Sequence, residues 1–159
     1  MLVDVTKTHI WRGRIVRYAP FIIWIGVIFF LSSGNGSMEE TSRFIAPLLK
    51  FLFPAASADL LLTYHFYIRK LAHFTEYAVL GFLAARSFAG SAFAVLRNYY
   101  FILALAVVIG IASADEFNQS FESSRTSSVW DVALDGFGGI TAVIIYFAAQ
   151  KMRRKSTVI

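Results

Sequence analysis

Apolar residues gather along the chain into four long stretches, at 15–31, 71–88, 99–114 and 129–149. A helix rises about 1.5 Å per residue, so some 20 mostly apolar residues cross a bilayer core of roughly 30 Å. The stretches hold 17, 18, 16 and 21 residues, and each reaches the required length by borrowing a turn from its flanks. The second and fourth carry ionisable groups, which cost a few kcal/mol apiece on insertion, so hydropathy alone leaves those two open. The pattern predicts an all-α membrane protein with four transmembrane helices.

The connection at 32–68 has a different rhythm. It begins with SSGNGS, a turn-rich breaker. Ser37 and Glu40 then have the S-x-x-E spacing of a capping box. Behind them Phe44, Leu48, Phe51 and Leu52 recur at near-helical spacing, which predicts an amphipathic helix over 38–53 on the outer membrane surface or over the bundle. A lid that touches no ligand reads equally well. Pro47 is placed to kink this helix and Pro54 to end it. A further helix is expected to start near Ser57 and continue into the second stretch.

Charge adds an orientation. Lys and Arg favour the cytoplasmic side of a spanning helix. Lys7, Arg12, Arg14 and Arg17 precede the first stretch or stand at its edge, Arg86 and Arg97 lie between the second and third, and Lys151, Arg153, Arg154 and Lys155 follow the fourth. Four spans with both termini inside put these ten of the fifteen basic residues on one face. The net charge of +5 is therefore largely a topology signal, and no nucleic-acid partner is expected. No small-residue cleavage site follows Leu31, so the first stretch reads as an uncleaved helix. The expected organisation is a basic cytoplasmic N-terminus (1–14), a four-helix membrane domain (15–149, with an outer amphipathic segment at 37–66) and a basic cytoplasmic tail (150–159). Hydrophobic residues at 57% and charged residues at 16% exclude a disordered chain and a typical soluble globule. The absence of cysteine excludes disulfides, thiolate metal sites and a cysteine nucleophile.

With that orientation, the polar residues near the spans converge. Arg69, Lys70, His73 and Glu76 open the second span, Asp115, Glu116 and Gln119 end the third, and Asp131 and Asp135 open the fourth. Ser32 and Ser33 close the first at the same outer end. Arg69, His73 and Glu76 stand at i, i+4 and i+7 on one helical face, continued by Leu80. Asp131 and Asp135 form an i, i+4 pair continued by Gly139 and Val143, and Gly136, Gly138 and Gly139 would admit a close neighbouring helix. Charged groups at such depth face the bundle interior and find partners; Arg69, Lys70 and Arg125 are the available cations. Taken singly, each group has a plainer role. Arg69 and Lys70 suit interface anchors, His73 a packing hydrogen-bonder, Asp115–Glu116 a solvated helix end, Asp131 a helix-dipole partner, and Tyr77, Tyr99, Tyr100 and Trp130 belt or core aromatics. The shared location is what those roles leave unexplained.

RKLAHFTEYAVLGFL at 69–83 and DEFNQSFESSRTSSVWDVALDGFG at 115–138 resemble the hallmark segments of the VanZ-like membrane proteins. FLSS at 30–33, followed by Ser37 and an acidic helix start, is similar to the family's first outer segment. The likeness runs from about residue 20 to 149. It implies a small multi-pass protein of the bacterial cytoplasmic membrane. The matching positions are Arg69, Lys70, His73, Glu76, Tyr77, Asp115, Glu116, Gln119, Arg125, Asp131 and Asp135; Asp135 stands where the family often has Asn. The family's named member is associated with low-level resistance to teicoplanin, a lipoglycopeptide, so the resemblance implies a phenotype and no mechanism.

Three functions fit. In the first, the chain binds an amphiphile at the outer leaflet, a cell-envelope lipid, lipid-linked precursor or lipoglycopeptide. Arg69, Lys70 and Arg125 would meet an anionic headgroup, with Tyr77, Gln119 and Asp135 as further binding residues. In the second, a hydrolase or transferase uses His73 and Glu76 as an acid/base pair, with Asp115, Glu116 or Asp131 as a second carboxylate; no recognisable nucleophile accompanies them. In the third, the chain is a small transporter, for which a homodimer would supply a second half. It shows no inverted repeat. His73 with Glu76, Asp115 and Asp131 could also hold Mg²⁺ or Zn²⁺, but the H-x-x-E spacing alone is a weak ligand pattern, so no metal and no cofactor are assigned.

Overall fold

The computed structural model describes residues 3–35, 37–120 and 128–156, and every element among them is helical. Helix α1 (Val3–Phe30) runs into a π-helical turn at Leu31–Asn35. Helices α2 (Met38–Leu52), α3 (Ala58–Ala89), α4 (Ala94–Asn98), α5 (Tyr100–Gln119) and α6 (Val129–Ser156) follow. Three segments are long and apolar enough to cross a membrane: Arg12–Ser33, Tyr100–Gln119 and Val129–Arg153. Helix α3 falls short of them in hydropathy because His73, Glu76 and Arg86 interrupt its apolar run.

The caps follow the local sequence. Ser37 caps α2 by accepting the Glu40 amide at 3.2 Å, and Ser57 caps α3 by accepting that of Leu60 at 3.3 Å. Helix α2 stops just before Pro54, while Pro47 is accommodated inside it. From Ser57 the chain is helical without a break to Ala89. At about 1.5 Å per residue those 32 residues make roughly 48 Å, well beyond a bilayer core.

Helix α3 is the hub, packed most extensively against α6 and α5 and also against α1 and α2. The core joins Tyr77, Leu80, Ala84, Ala85 and Phe88 of α3 to Ala104, Val108 and Ala112 of α5, Val143 of α6, and Phe21 and Ile28 of α1. Small residues bring α3 and α6 close. A Cβ on Gly138 would strike the Phe74 carbonyl oxygen, and one on Gly81 would strike the backbone of Gly139. Outside this core the large apolar side chains face outward, among them Ile22, Ile23, Ile102, Phe137 and Ile145. That apolar exterior suits lipid and would be a liability in water. Helix α1 is pinned to α3 by polar ties: Trp24 Nε1 donates to the Glu76 carbonyl at 2.9 Å, and Ser87 Oγ donates to the Arg17 carbonyl at 2.8 Å.

Candidate functional site

The polar residues singled out in the sequence meet around the first half of α3. Two close acid–base approaches join α3 to α6. Lys70 pairs with Asp131 in the first turn of α6, and one turn on, His73 Nδ1 lies 3.6 Å from Asp135 Oδ1. Helix α5 continues past the apolar stretch to Gln119, which brings Asp115, Glu116 and Gln119 in as buried residues. Tyr77, fully buried on α3, donates its hydroxyl to Asp115 Oδ2 at 3.0 Å. Gln119 Nε2 donates to the same oxygen, also at 3.0 Å. Glu116 Oε2 accepts the backbone N–H of Ser128 at 3.0 Å, tying the end of α5 to the entry of α6.

A cavity of about 140 Å³ opens among these groups, lined by Ser32, Thr41, Arg69, His73, Glu76 and Asp115 over an apolar floor that includes Ile28 and Leu31. A single water needs roughly 10–15 Å³, so this space has room for a group of several atoms. Several polar atoms at the site lack a hydrogen-bond partner among the described residues: Ser32 Oγ, His73 Nδ1, Asp115 Oδ1, Glu116 Oε1 and both Asp135 oxygens. Buried polar atoms are usually satisfied, so this concentration marks the place where a bound species would make its contacts. Beside it runs a larger apolar groove of about 450 Å³, walled by Trp24, Ile68, Leu71, Thr75 and Val79. Leu31, Ala72 and Glu76 line both spaces.

A family model described as VanZ/LLP1 matches residues 18–150. The chain belongs to the VanZ/LLP1 family. Searches of curated proteins and of solved structures found no match. In this VanZ/LLP1 chain the two hallmark segments meet in space. The 69–83 segment supplies Arg69, His73, Glu76 and Tyr77, and the 115–138 segment supplies Asp115, Gln119, Asp131 and Asp135. Arg125 lies outside the described residues. Tyr77, grouped in the sequence with belt or core aromatics as well as with ligand-binding residues, is a buried hydrogen-bond donor to Asp115.

One further contact involves a histidine outside the candidate residues. His65, 2% exposed, bonds through Nε2 to Thr41 Oγ1 at 3.1 Å and so ties α2 to α3. The Thr41 hydroxyl itself donates to the Ser37 carbonyl at 2.7 Å, which makes the imidazole N–H the donor to Thr41. Burial, with the Arg69 charge adding to it, pushes the His65 pKa below the ordinary histidine value. His65 precedes Arg69 by one i, i+4 step and so extends the polar stripe of α3 toward its N-terminus; that spacing is the signal that would have found it.

Proposed function

We propose that the chain is a four-span protein of the bacterial cytoplasmic membrane, with both termini in the cytoplasm, that binds an amphiphile by its headgroup at the outer leaflet. The ligand class is an anionic cell-envelope lipid, a lipid-linked precursor or a lipoglycopeptide. The observation that carries this reading is the junction of two spaces, a small cavity with Arg69, His73, Glu76 and Asp115 among its lining residues and a larger groove walled mainly by apolar side chains, lined in common by Leu31, Ala72 and Glu76. An amphiphile has that shape. Its charged end would sit against Arg69, whose guanidinium suits a bidentate contact with phosphate or carboxylate, and its chain would lie in the groove. The central packing of α3 among α1, α5 and α6 supports its role as the fourth span, because its buried face is already shielded from lipid. The exposed Phe44, Leu48 and Phe51 on α2 support a helix lying in the membrane interface above the cavity.

Native mass spectrometry of wild-type protein released from the membrane tests this reading. Wild type should retain a lipid, and Arg69→Ala should bind it ~10- to 100-fold more weakly, the worth of a charge-assisted hydrogen bond of about 1.5–3 kcal/mol. Wild-type protein that emerges free of lipid under mild extraction would end the proposal. In a glycopeptide-sensitive host, expression should raise the teicoplanin concentration needed to stop growth, with Arg69→Ala returning it to the baseline.

A second reading, a hydrolase or transferase acting on a lipid-linked substrate, is favoured by His73, Glu76 and Asp115 lining one cavity. It places His73 and Glu76 as the acid/base pair. Incubation of purified protein with a co-purifying lipid, with products sought by mass spectrometry, separates turnover from binding.

A further inference from the structure

We propose that His73, Asp115 and Asp135 form a divalent-cation site in the interior of the bundle, one that takes Zn²⁺ or Mn²⁺. The three residues come from α3, α5 and α6, and each offers a ligand atom within 4.8 Å of the other two. Two are carboxylates shut away from solvent, Asp135 at 0% and Asp115 at 2% exposure. Both Asp135 oxygens, Asp115 Oδ1 and His73 Nδ1 have no hydrogen-bond partner among the described residues. Burying Asp135, with His73 Nδ1 3.6 Å away but no hydrogen-bond donor on either oxygen among the described residues, and leaving Oδ1 of Asp115 unpartnered carries a desolvation cost of several kcal/mol that added positive charge would offset. Lys70, the cation nearest in sequence to His73 on the α6 side, is engaged by Asp131. A doubly charged ion between the three side chains would offset both carboxylates at once.

The support around Asp115 is that of a ligand. Tyr77 and Gln119 both donate to Oδ2, which fixes the carboxylate and leaves Oδ1 with open capacity. Ligating carboxylates are held in this way by outer hydrogen bonds. Metal–ligand bonds of about 2.0–2.2 Å place ligand atoms roughly 3.3 Å apart around a tetrahedral ion, so side-chain rotations of about 1 Å close the present spacing. His73 and Asp115 also line the 140 Å³ cavity, and a fourth position would face that space, open to water or to an oxyanion. The ligand set selects the metal. One imidazole with two carboxylates, in a chain without cysteine, excludes thiolate ligation, and the mixture of nitrogen and hard oxygen suits Zn²⁺ or Mn²⁺. The proposal stands whatever headgroup enters the cavity, since all three ligands belong to the chain.

The rival occupant is a proton shared between His73 and Asp135. Full-length protein without a polyhistidine tag, purified in detergent and stripped with EDTA, is dialysed separately against micromolar Zn²⁺ and Mn²⁺, and bound metal is counted by mass spectrometry. Wild type should take up one equivalent. Asp135→Asn and His73→Gln should each lose that uptake, and Gln119→Ala, which frees the Asp115 carboxylate, should weaken it ~10- to 100-fold. Equal uptake by wild type and by the His73→Gln/Asp135→Asn double variant, or none by wild type, would overturn the site in favour of the proton. A wild-type measurement covers the case of variants that misfold: the Mn²⁺ electron paramagnetic resonance signal must broaden on binding and be displaced by Zn²⁺, and a spectrum that stays that of the aqueous ion refutes the proposal.

Discussion

Asp115 is the most constrained side chain at the site: buried on α5, it takes two donors on one oxygen. Removing one of them tests what the arrangement is worth. Tyr77→Phe should lower the thermal stability of the detergent-solubilised protein by about 1–3 kcal/mol, since a fully buried acceptor loses a partner. At Gly138 the constraint is steric. Gly138→Ala drives a methyl group into the Phe74 carbonyl, and overpacking of that kind costs roughly 1–3 kcal/mol. Gly26 on α1 has nothing within 4 Å of a Cβ, so Gly26→Ala should be neutral or stabilising, by up to about 1 kcal/mol of helix propensity. Thermal denaturation of the two alanine variants side by side checks the contrast. The importance of both groups of residues was legible in the sequence, the glycines as a small-residue stripe and Asp115 as an acid at the end of an apolar helix. Their partners were not, because Tyr77 and Asp115 stand 38 residues apart and spacing along one helix does not reveal what faces it.

Among the elements, α2 is tied to α3 through a titratable side chain, His65. His65 ties it to α3 while buried and neutral. Its folded pKa is lowered, while the unfolded chain keeps a value near 6.5. Between those two values the unfolded chain binds more proton, so stability rises with pH. The contribution is complete above about 6.5 and is lost as pH falls through the folded value. Hydrogen exchange of the α2 amides, corrected for the intrinsic rate, should therefore be constant above about pH 6.5 and speed up as pH falls below it, and His65→Gln should flatten that dependence. The outer face of the same helix makes a separate prediction. Phe44 and Phe51 are 79% and 82% exposed; Phe51→Trp should show blue-shifted fluorescence in lipid nanodiscs, and emission at the wavelength of water-exposed tryptophan would remove α2 from the interface. The start of α2, the Ser37 cap, the stop before Pro54 and the unbroken α3 were all readable locally, because caps and prolines act on residues within one turn. The contact of α2 with His65 was not, since neither its exposed face nor its capping residues specify which neighbour it meets.

For the whole molecule, the decisive quantity is orientation. The chain has no cysteine, so single cysteines report position without background. A cysteine at Phe53 should react with a membrane-impermeant maleimide added outside intact cells, whereas cysteines at Phe93 and Met152 should react only after permeabilisation. Labelling of positions 53 and 152 from the same side would remove the four-span arrangement. By itself the sequence determined the all-helical, strongly apolar character of this VanZ/LLP1 protein, the starts of α2 and α3 and the bias of its charges, because each depends on composition and on residues within a turn or two. Tertiary structure alone decided which acid meets which base. His73 found Asp135 across the bundle, Lys70 found Asp131, and the cavity that holds Arg69, His73, Glu76 and Asp115 came to lie against an apolar groove. The rotation of α5 and α6 about α3 sets those meetings, and that rotation is fixed by glycine contacts and core packing between segments tens of residues apart, which no local pattern encodes.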